Sequence, residues 1–255
     1  MKKNKIWSKY TRDEACELIK KNPVIVIPVG SHEQHGPHLT LDTDSDIAFE
    51  ITKGAMEKAK VPCSVLPTLF VGISEHHMNY PGTLTLKPET LRNVINDIVH
   101  SLYRHGVRKV LIINAHGGNQ SILASTVDSL GSQLEGNYVL ANYWSLVSDS
   151  IYKITNVNPG DADHAGELET SLKMHFSPED VRKELIVPGE AKGNNYWKPE
   201  AMSNKIKTFK SFDSFTKYGH IGNPTKSSEE IGEKALELIT NEVAKLIEVM
   251  HIDNL

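Results

Sequence analysis

Cysteines are scarce in this sequence, and long apolar runs are absent. Its two cysteines, Cys16 and Cys63, are too few for a disulfide framework, and neither has a second cysteine at the spacing of a metal-binding motif. No stretch of about 18 uncharged apolar residues is present, so we expect no membrane-spanning helix. The first residues, MKKNKIWSKY, lack the apolar segment of a secretory signal, which predicts a cytoplasmic protein.

A strong excess of one charge is also missing. The sequence contains 28 lysines and arginines against 32 aspartates and glutamates, with a formal net charge of -4 and an isoelectric point near 6.3. Proteins that bind DNA or RNA carry a basic surface, so we expect no nucleic acid as a partner. A chain of 255 residues can bury a sizeable core within one domain, and we interpret residues 1–255 as a single domain.

Apolar strands alternate with amphipathic helices along the chain. The runs VIVIPV (24–29) and VLIIN (110–114) contain no polar alternation, which is typical of strands buried on both faces of a parallel sheet. Periodicity predicts further strands at 63–69 and 137–144 and helices at 46–60, 88–106 and from about Glu167. Capping boxes predict two terminal helices, one that begins at Thr11 with Glu14 and one that begins at Ser227 with Glu230. This alternation predicts an α/β fold with its functional groups beyond the carboxyl ends of the strands.

Ionisable residues crowd the segment GSHEQHGPHLTLDTD, residues 30–44, which directly follows the first apolar strand. Glu33 and His35 come after this strand and His116 follows the strand at 110–114, so all three are expected at one edge of the sheet. Carboxylates and imidazoles packed so closely require hydrogen-bond partners or a cation. Oxygen and imidazole ligands without thiolate suit Zn, Mn or Fe(II). We therefore favour a divalent-metal site over a structural hydrogen-bond cluster.

The spacing within this segment favours two ions. Glu33 and His35 are two residues apart, so on an extended backbone both side chains point the same way and two neighbouring ions could each take one of them. Asp44, at the start of the next helix, could bridge the pair. Two ions about 3.5–4 Å apart that share a carboxylate would lower the pKa of a bridging water towards about 7. Such a site produces hydroxide at neutral pH, which indicates a hydrolase.

Five motifs, in order along the chain, resemble the creatininase family of metal-dependent amidohydrolases. They lie between about residues 24 and 240 and read GSHEQHGPHLTLDTD, YPGTLTL, NAHGGN, HAGELETS and GNPTKSSEEIGEKA. The resemblance implies a layered α/β/α sandwich with a mostly parallel central sheet, two divalent ions per chain and a homo-oligomer, often a hexamer. By motif position it implies one ion on Glu33 and His116, the other on His35, and Asp44 as the bridge.

The third motif departs from the family pattern. In creatininase itself, its histidine is followed by a tyrosine and a metal-binding glutamate, whereas Gly117 and Gly118 stand here. This difference argues against creatinine as the substrate and makes Glu169 the candidate for the remaining ligand. The alternative is that Glu169 only stabilises the start of its helix through the helix dipole. His164 matches the histidine that passes a proton to the leaving nitrogen, and the alternative is a loop histidine with structural partners.

Substrate-binding residues are predicted in the loops around these motifs. Ser74 and His76 precede YPGTLTL, near where the family positions its substrate, and Gly117 lets the backbone approach the substrate closely. Trp144 could wall a flat substrate, although core packing explains an aromatic residue there equally well. Residues 186–222 show no clear period, and we interpret them as an irregular segment that helps to shape the pocket.

The expected reaction is hydrolysis of a C–N bond in a small cyclic amide or a formamide by a metal-bridging hydroxide, with His164 protonating the departing nitrogen. Deformylation of a pyrimidine-type metabolite is an alternative that would need cations for a phosphate, for which Lys192 and Lys198 are candidates. Ring opening of a cyclic ketone derived from a sugar or cyclitol is another. A non-catalytic binding protein is a fourth possibility, against which the complete ligand set speaks.

Overall fold

A computed structural model describes residues 5–154, 164–190 and 208–252. The strands in these residues are β1 (Val24–Val29), β2 (Cys63–Val65), β3 (Lys109–Asn114) and β4 (Asn137–Asn142). They form a parallel sheet with the order β2-β1-β3-β4. Val29 pairs with Asn114, and Asn114 pairs with Asn142, so three strands end at one level. The loops that follow these ends therefore meet at a single edge of the sheet.

Helices precede, connect and follow the strands. They are α1 (Arg12–Ile19), α2 (Thr43–Lys58), α3 (Pro88–Arg104), α4 (Gln120–Gln133), α5 (Tyr143–Leu146), α6 (Ser148–Ile154), α7 (Glu167–Phe176) and α8 (Glu229–Ile252). The capping box of Thr11 and Glu14 is confirmed. The predicted cap of the final helix is wrong by one residue, because Ser227 donates its hydroxyl to the backbone of α7 while the Ser228 hydroxyl accepts the amide of Ile231 at 3.2 Å.

Two apolar cores, one on each face of the sheet, confirm the layered α/β/α sandwich. One core contains Ile25 of β1 with Leu91 of α3 and Leu123 of α4. The other packs Val26 of β1 against apolar residues of α2, α7 and α8 such as Ile239. Successive side chains of a strand point to opposite faces, so all six residues of β1 are buried. Burial on both faces is the reason why VIVIPV shows no polar alternation.

The predicted strand at 63–69 is shorter than expected. It ends at Val65, and Leu69 makes only an isolated bridge to β1. Pro67 lies between these residues and has no amide hydrogen to donate to a neighbouring strand. The chain therefore leaves the sheet early and continues as the loop that carries Ser74.

The predicted strand at 137–144 is also shorter, because it ends at Asn142 and the chain turns at once into α5. Trp144 consequently lies in a short helix rather than at a strand end. The described parts of the segment 186–222 contain one single-turn helix, Phe212–Ser214, and are otherwise irregular, as the missing period predicts. No helix in the described ranges has both the length and the hydrophobicity that a bilayer crossing requires.

Candidate metal centre

The predicted metal ligands lie together at the carboxyl edge of the sheet. Glu33 and His35 are in the loop after β1, and His116 follows β3. Asp44 lies in the first turn of α2, and Glu169 lies in the first turn of α7. Four of these residues are buried, and the side chain of Glu169 is only 13% exposed. The fold therefore places five ionisable groups in one small, largely dry volume.

Asp44 stands between two histidines. Its Oδ1 lies 3.1 Å from His35 Nε2, and its Oδ2 lies 3.1 Å from His116 Nδ1. Glu33 Oε1 is 3.2 Å from the same nitrogen of His116, and Glu169 Oε2 is 3.8 Å from His35 Nε2. Each histidine thus faces two carboxylates, and one carboxylate is shared between them. This arrangement of donors suits a carboxylate that bridges two ions.

Backbone carbonyls fix which nitrogen of each histidine faces the carboxylates. His35 Nδ1 donates to the carbonyl of Glu33 at 3.1 Å, and His116 Nε2 donates to the carbonyl of Ile73 at 3.0 Å. In a neutral imidazole the other nitrogen then carries a lone pair. Both lone pairs point at carboxylate oxygens, a contact that is repulsive unless a proton or a metal ion lies between the atoms. Histidines that bind metals make this same outer hydrogen bond.

Unpartnered oxygens show that the cluster fits cations. Within the described residues, the buried atoms Glu33 Oε1 and Asp44 Oδ2 have no hydrogen bond of acceptable geometry. A buried oxygen without a partner destabilises a folded protein. Ligand atoms of Glu33, His35 and Asp44 lie within 4.8 Å of one another, as do those of His35, His164 and Glu169. This set of carboxylates and imidazoles without thiolate suits Zn, Mn and Fe(II).

The cluster has unusual electrostatics. Burial would lower the pKa of His35, but the Asp44 carboxylate raises it to about 10. Burial raises the pKa of Glu169 to about 7. Burial would also raise the pKa of Glu33, but the adjacent His116 holds it well below its ordinary range. Without ions the cluster therefore keeps protons on imidazoles and on Glu169, and bound ions would replace those protons.

Gly118 cannot carry a ligand in this chain. A Cβ atom added there would lie 2.2 Å from the carbonyl oxygen of Ile73 and 2.4 Å from His116 Nε2. Any side chain at this position would displace the histidine itself. Glu169 reaches the cluster from α7 instead, where its carboxylate accepts the amide of Ala165 at 2.7 Å. Ala165 adopts a left-handed conformation with φ 51, which turns the chain into α7.

His164, the predicted proton carrier, lies beside the cluster. Its Nε2 donates to the carbonyl of Gln34 at 2.9 Å, so its Nδ1 carries the lone pair, at 3.7 Å from Glu33 Oε1. Burial, together with the charge of His35, lowers the pKa of His164 well below its ordinary value. The ring is therefore neutral and can accept a proton at Nδ1.

His77 is a site residue that the sequence analysis did not identify. The Gly36 amide donates to Gln34 Oε1, so the amino group of Gln34 faces His77 Nδ1 and donates to it at 2.7 Å. His77 Nε2 therefore carries a hydrogen, and it contacts Glu33 Oε1 at 3.3 Å. The only signal in the sequence was the pair His76-His77, and a pair in an irregular loop does not reveal which ring faces inward.

A cavity of about 450 Å³ opens onto the cluster. His76, Gly117 and Trp144 line it, together with Phe212, which belongs to the irregular segment. Ser74 is fully buried and lies outside the cavity wall. Three of the four residues predicted to bind substrate are thus brought together around one space.

Comparisons with known proteins identify the family. The model for creatininase, described as creatinine amidohydrolase, matches residues 8–247. A mycofactocin precursor peptide peptidase of Mycolicibacterium smegmatis is 31% identical over 229 residues, which cover 88% of this chain and 84% of the relative. A creatinine amidohydrolase of Pseudomonas putida is 27% identical over 264 residues, which cover 94% of this chain and 93% of the relative. A solved structure titled "Creatininase Mn" has a TM-score of 0.85 at 25% identity, over 98% of this chain and 100% of that structure. The chain therefore belongs to the creatininase family of amidohydrolases.

Proposed function

We propose that this protein hydrolyses a C–N amide bond with the help of two divalent ions per chain, Zn, Mn or Fe. The ligands are Glu33, His35, Asp44, His116 and Glu169. The observation that carries the proposal is the convergence of donor atoms, since His35 Nε2 and His116 Nδ1 each lie 3.1 Å from a carboxylate oxygen of Asp44, so that a proton or a metal ion has to lie between each pair. An ion at this position would replace the proton and bind both atoms.

The bound ions would supply a hydroxide nucleophile at neutral pH and would polarise the substrate carbonyl. The protein itself contributes orientation and proton transfer. His164 is held neutral with its lone pair at Nδ1, so this atom takes up a proton and delivers it to the departing nitrogen. The carbonyl of Gln34 occupies the other nitrogen, so the proton moves at Nδ1 alone. Trp144 and Phe212 wall the cavity and limit the access of water.

We infer that the substrate is a small, uncharged cyclic amide or formamide. The cavity wall formed by described residues contains histidines, carboxylates, aromatic rings and aliphatic side chains, but no lysine or arginine. A phosphate would find no lysine or arginine in this part of the wall, which argues against a phosphorylated pyrimidine. Lys192 and Lys198, the candidates for phosphate binding, lie outside the described residues. A cyclic ketone would fit the same wall but would leave no nitrogen for His164 to protonate.

A peptide amide is the second candidate, because the cavity is open beside Gly117. A Cβ atom added at Gly117 would meet nothing within 4 Å. The relative from M. smegmatis, named a peptide peptidase, cleaves the same type of bond. Hydrolysis of creatinine, N-formyl compounds and short peptides, compared at equal metal loading, distinguishes the two candidates.

Metal content is the first test. Elemental mass spectrometry on protein purified without a tag or chelator should find close to two divalent ions per chain, and Glu169→Ala should retain only one. One ion or fewer in the unmodified protein, unchanged after incubation with Zn, Mn or Fe(II), would refute the two-ion proposal. We further propose a cytoplasmic homo-oligomer, for which light scattering gives the number of subunits.

A further inference from the structure

Lys173 is a fully buried lysine close to the metal centre. Its Nζ lies 2.5 Å from Asp46 Oδ2, 3.1 Å from Asp180 Oδ2 and 3.7 Å from Asp42 Oδ1. The three carboxylates are one third to one half exposed, whereas no part of the lysine side chain reaches solvent. A buried ammonium ion persists only where such partners replace its water. Lys173 is therefore held in place by three anions from two different parts of the chain.

The two parts of the chain that Lys173 connects are those that carry ligands. Asp42 and Asp46 lie two residues before and two residues after Asp44, at the start of α2. Lys173 lies four residues after Glu169 on α7, and residues at that spacing share one face of a helix. The ammonium group thus ties the first turn of α2 to α7, one helical turn after Glu169.

Such a connection is needed because the two ligands repel each other. Asp44 and Glu169 are both carboxylate residues, and they face the same nitrogen of His35, at 3.1 and 3.8 Å. Two like charges at such short range favour separation of α2 and α7. A second contact joins the loop before α2 to α7, because His38 Nε2 and Thr170 Oγ1 form a hydrogen bond of 3.0 Å. This contact does not pair a positive charge with a negative one.

We propose that Lys173 is a positioning residue for the metal centre, which keeps Glu169 close enough to Asp44 and His35 for the second ion to bind. This inference rests on the proposed two-ion function. The carboxylates of Asp42, Asp46 and Asp180 come within 4.8 Å of one another, a spacing that would also suit a cation. Lys173 Nζ already lies among these carboxylates, where a cation would bind, so we interpret this cluster as a connection between helices and not as a third metal site.

The test is a Mn²⁺ titration of metal-free wild type, Lys173→Met and Lys109→Met, followed by calorimetry. Methionine keeps an unbranched side chain that is one atom shorter, and it removes the charge. Lys109 is the matched control, because it is also buried but lies at the start of β3, where its Nζ donates to the carbonyl of His251 at 2.6 Å. Lys173→Met should bind the second ion roughly 10- to 100-fold more weakly and the first ion as tightly as wild type does. Lys109→Met should bind both ions normally.

A spectroscopic readout separates positioning from a loss of stability. Two neighbouring Mn²⁺ ions give a spin-coupled electron paramagnetic resonance signal, which Lys173→Met should lose at metal concentrations that saturate the wild type. If Lys173→Met does not fold, Asp180→Asn is tested in its place. This variant should also bind the second ion more weakly than wild type does. The inference is overturned if Lys173→Met binds the second ion as tightly as wild type does. It is also overturned if the variant binds both ions more weakly by the same factor. Fewer than two ions in the wild type would instead refute the proposed function.

Discussion

Replacement of Glu169 by glutamine is expected to change how the stability of the metal-free protein depends on pH. Burial raises the pKa of Glu169 from its ordinary value of 4.5 to about 7. In the unfolded chain this carboxyl loses its proton near pH 4.5, whereas the folded protein retains the proton up to about pH 7. The folded state therefore binds more protons in this window, and its free energy of unfolding falls as the pH rises.

The size of the effect follows from the pKa values. One pKa unit corresponds to about 1.4 kcal/mol, so a pKa raised from 4.5 to about 7 corresponds to roughly 3 kcal/mol. This contribution is fully present below pH 4.5 and is lost once the pH exceeds the folded pKa of about 7. Glutamine binds no proton in either state. The stability of Glu169→Gln relative to wild type should therefore rise by about 3 kcal/mol between pH 4.5 and about pH 8.

Urea denaturation of the metal-free proteins across this pH range measures the difference. Glu233→Gln, on the exposed face of α8, makes the same chemical change away from the cluster and serves as the matched control. A difference between wild type and Glu169→Gln that stays constant with pH would refute the reasoning. Saturating Mn²⁺ should remove the high-pH advantage of the variant, because the ions bind the ionised carboxylate.

Three further results are expected. Gly118→Ala should lower the free energy of unfolding by about 1–3 kcal/mol, because its Cβ would lie 2.2 Å from a carbonyl oxygen. Gly117→Ala should change this free energy by no more than about 0.5 kcal/mol. Urea denaturation measures both variants, and equal effects would contradict the packing account. His164→Ala should keep both ions by elemental analysis while hydrolysis falls about 10²- to 10⁴-fold, and unchanged turnover would remove this residue from proton transfer. His77→Phe should preserve packing against Phe212 but weaken metal binding roughly 10-fold in chelator competition, and an unchanged affinity would count against its contact with the ligand carboxylate.

The sequence predicts the part of the centre that depends on strand ends. Glu33 and His116 follow buried strands directly, and parallel strands bring their carboxyl ends together whatever the loops do. Asp44 is close because it begins the helix that returns from the same loop. Their proximity therefore follows from local patterns and one rule of sheet topology.

The remaining parts of the site depend on packing that no local pattern contains. The position of Glu169 depends on how α7 packs against α8 and on the contacts of Lys173, which join residues far apart in the sequence. His77 faces inward because Gln34 is fixed by the backbone of the next turn. The strand at 63–69 was overestimated because its apolar residues continue past the proline that ends the pairing.

The outer hydrogen bonds of the three site histidines have a consequence for how this scaffold can evolve. His35, His116 and His164 all donate to main-chain carbonyls, which no amino-acid substitution removes. Side chains around the cavity can therefore be exchanged freely without altering which ring nitrogen holds a hydrogen. Selection for a new substrate can therefore change the residues that line the cavity while the candidate metal centre stays intact.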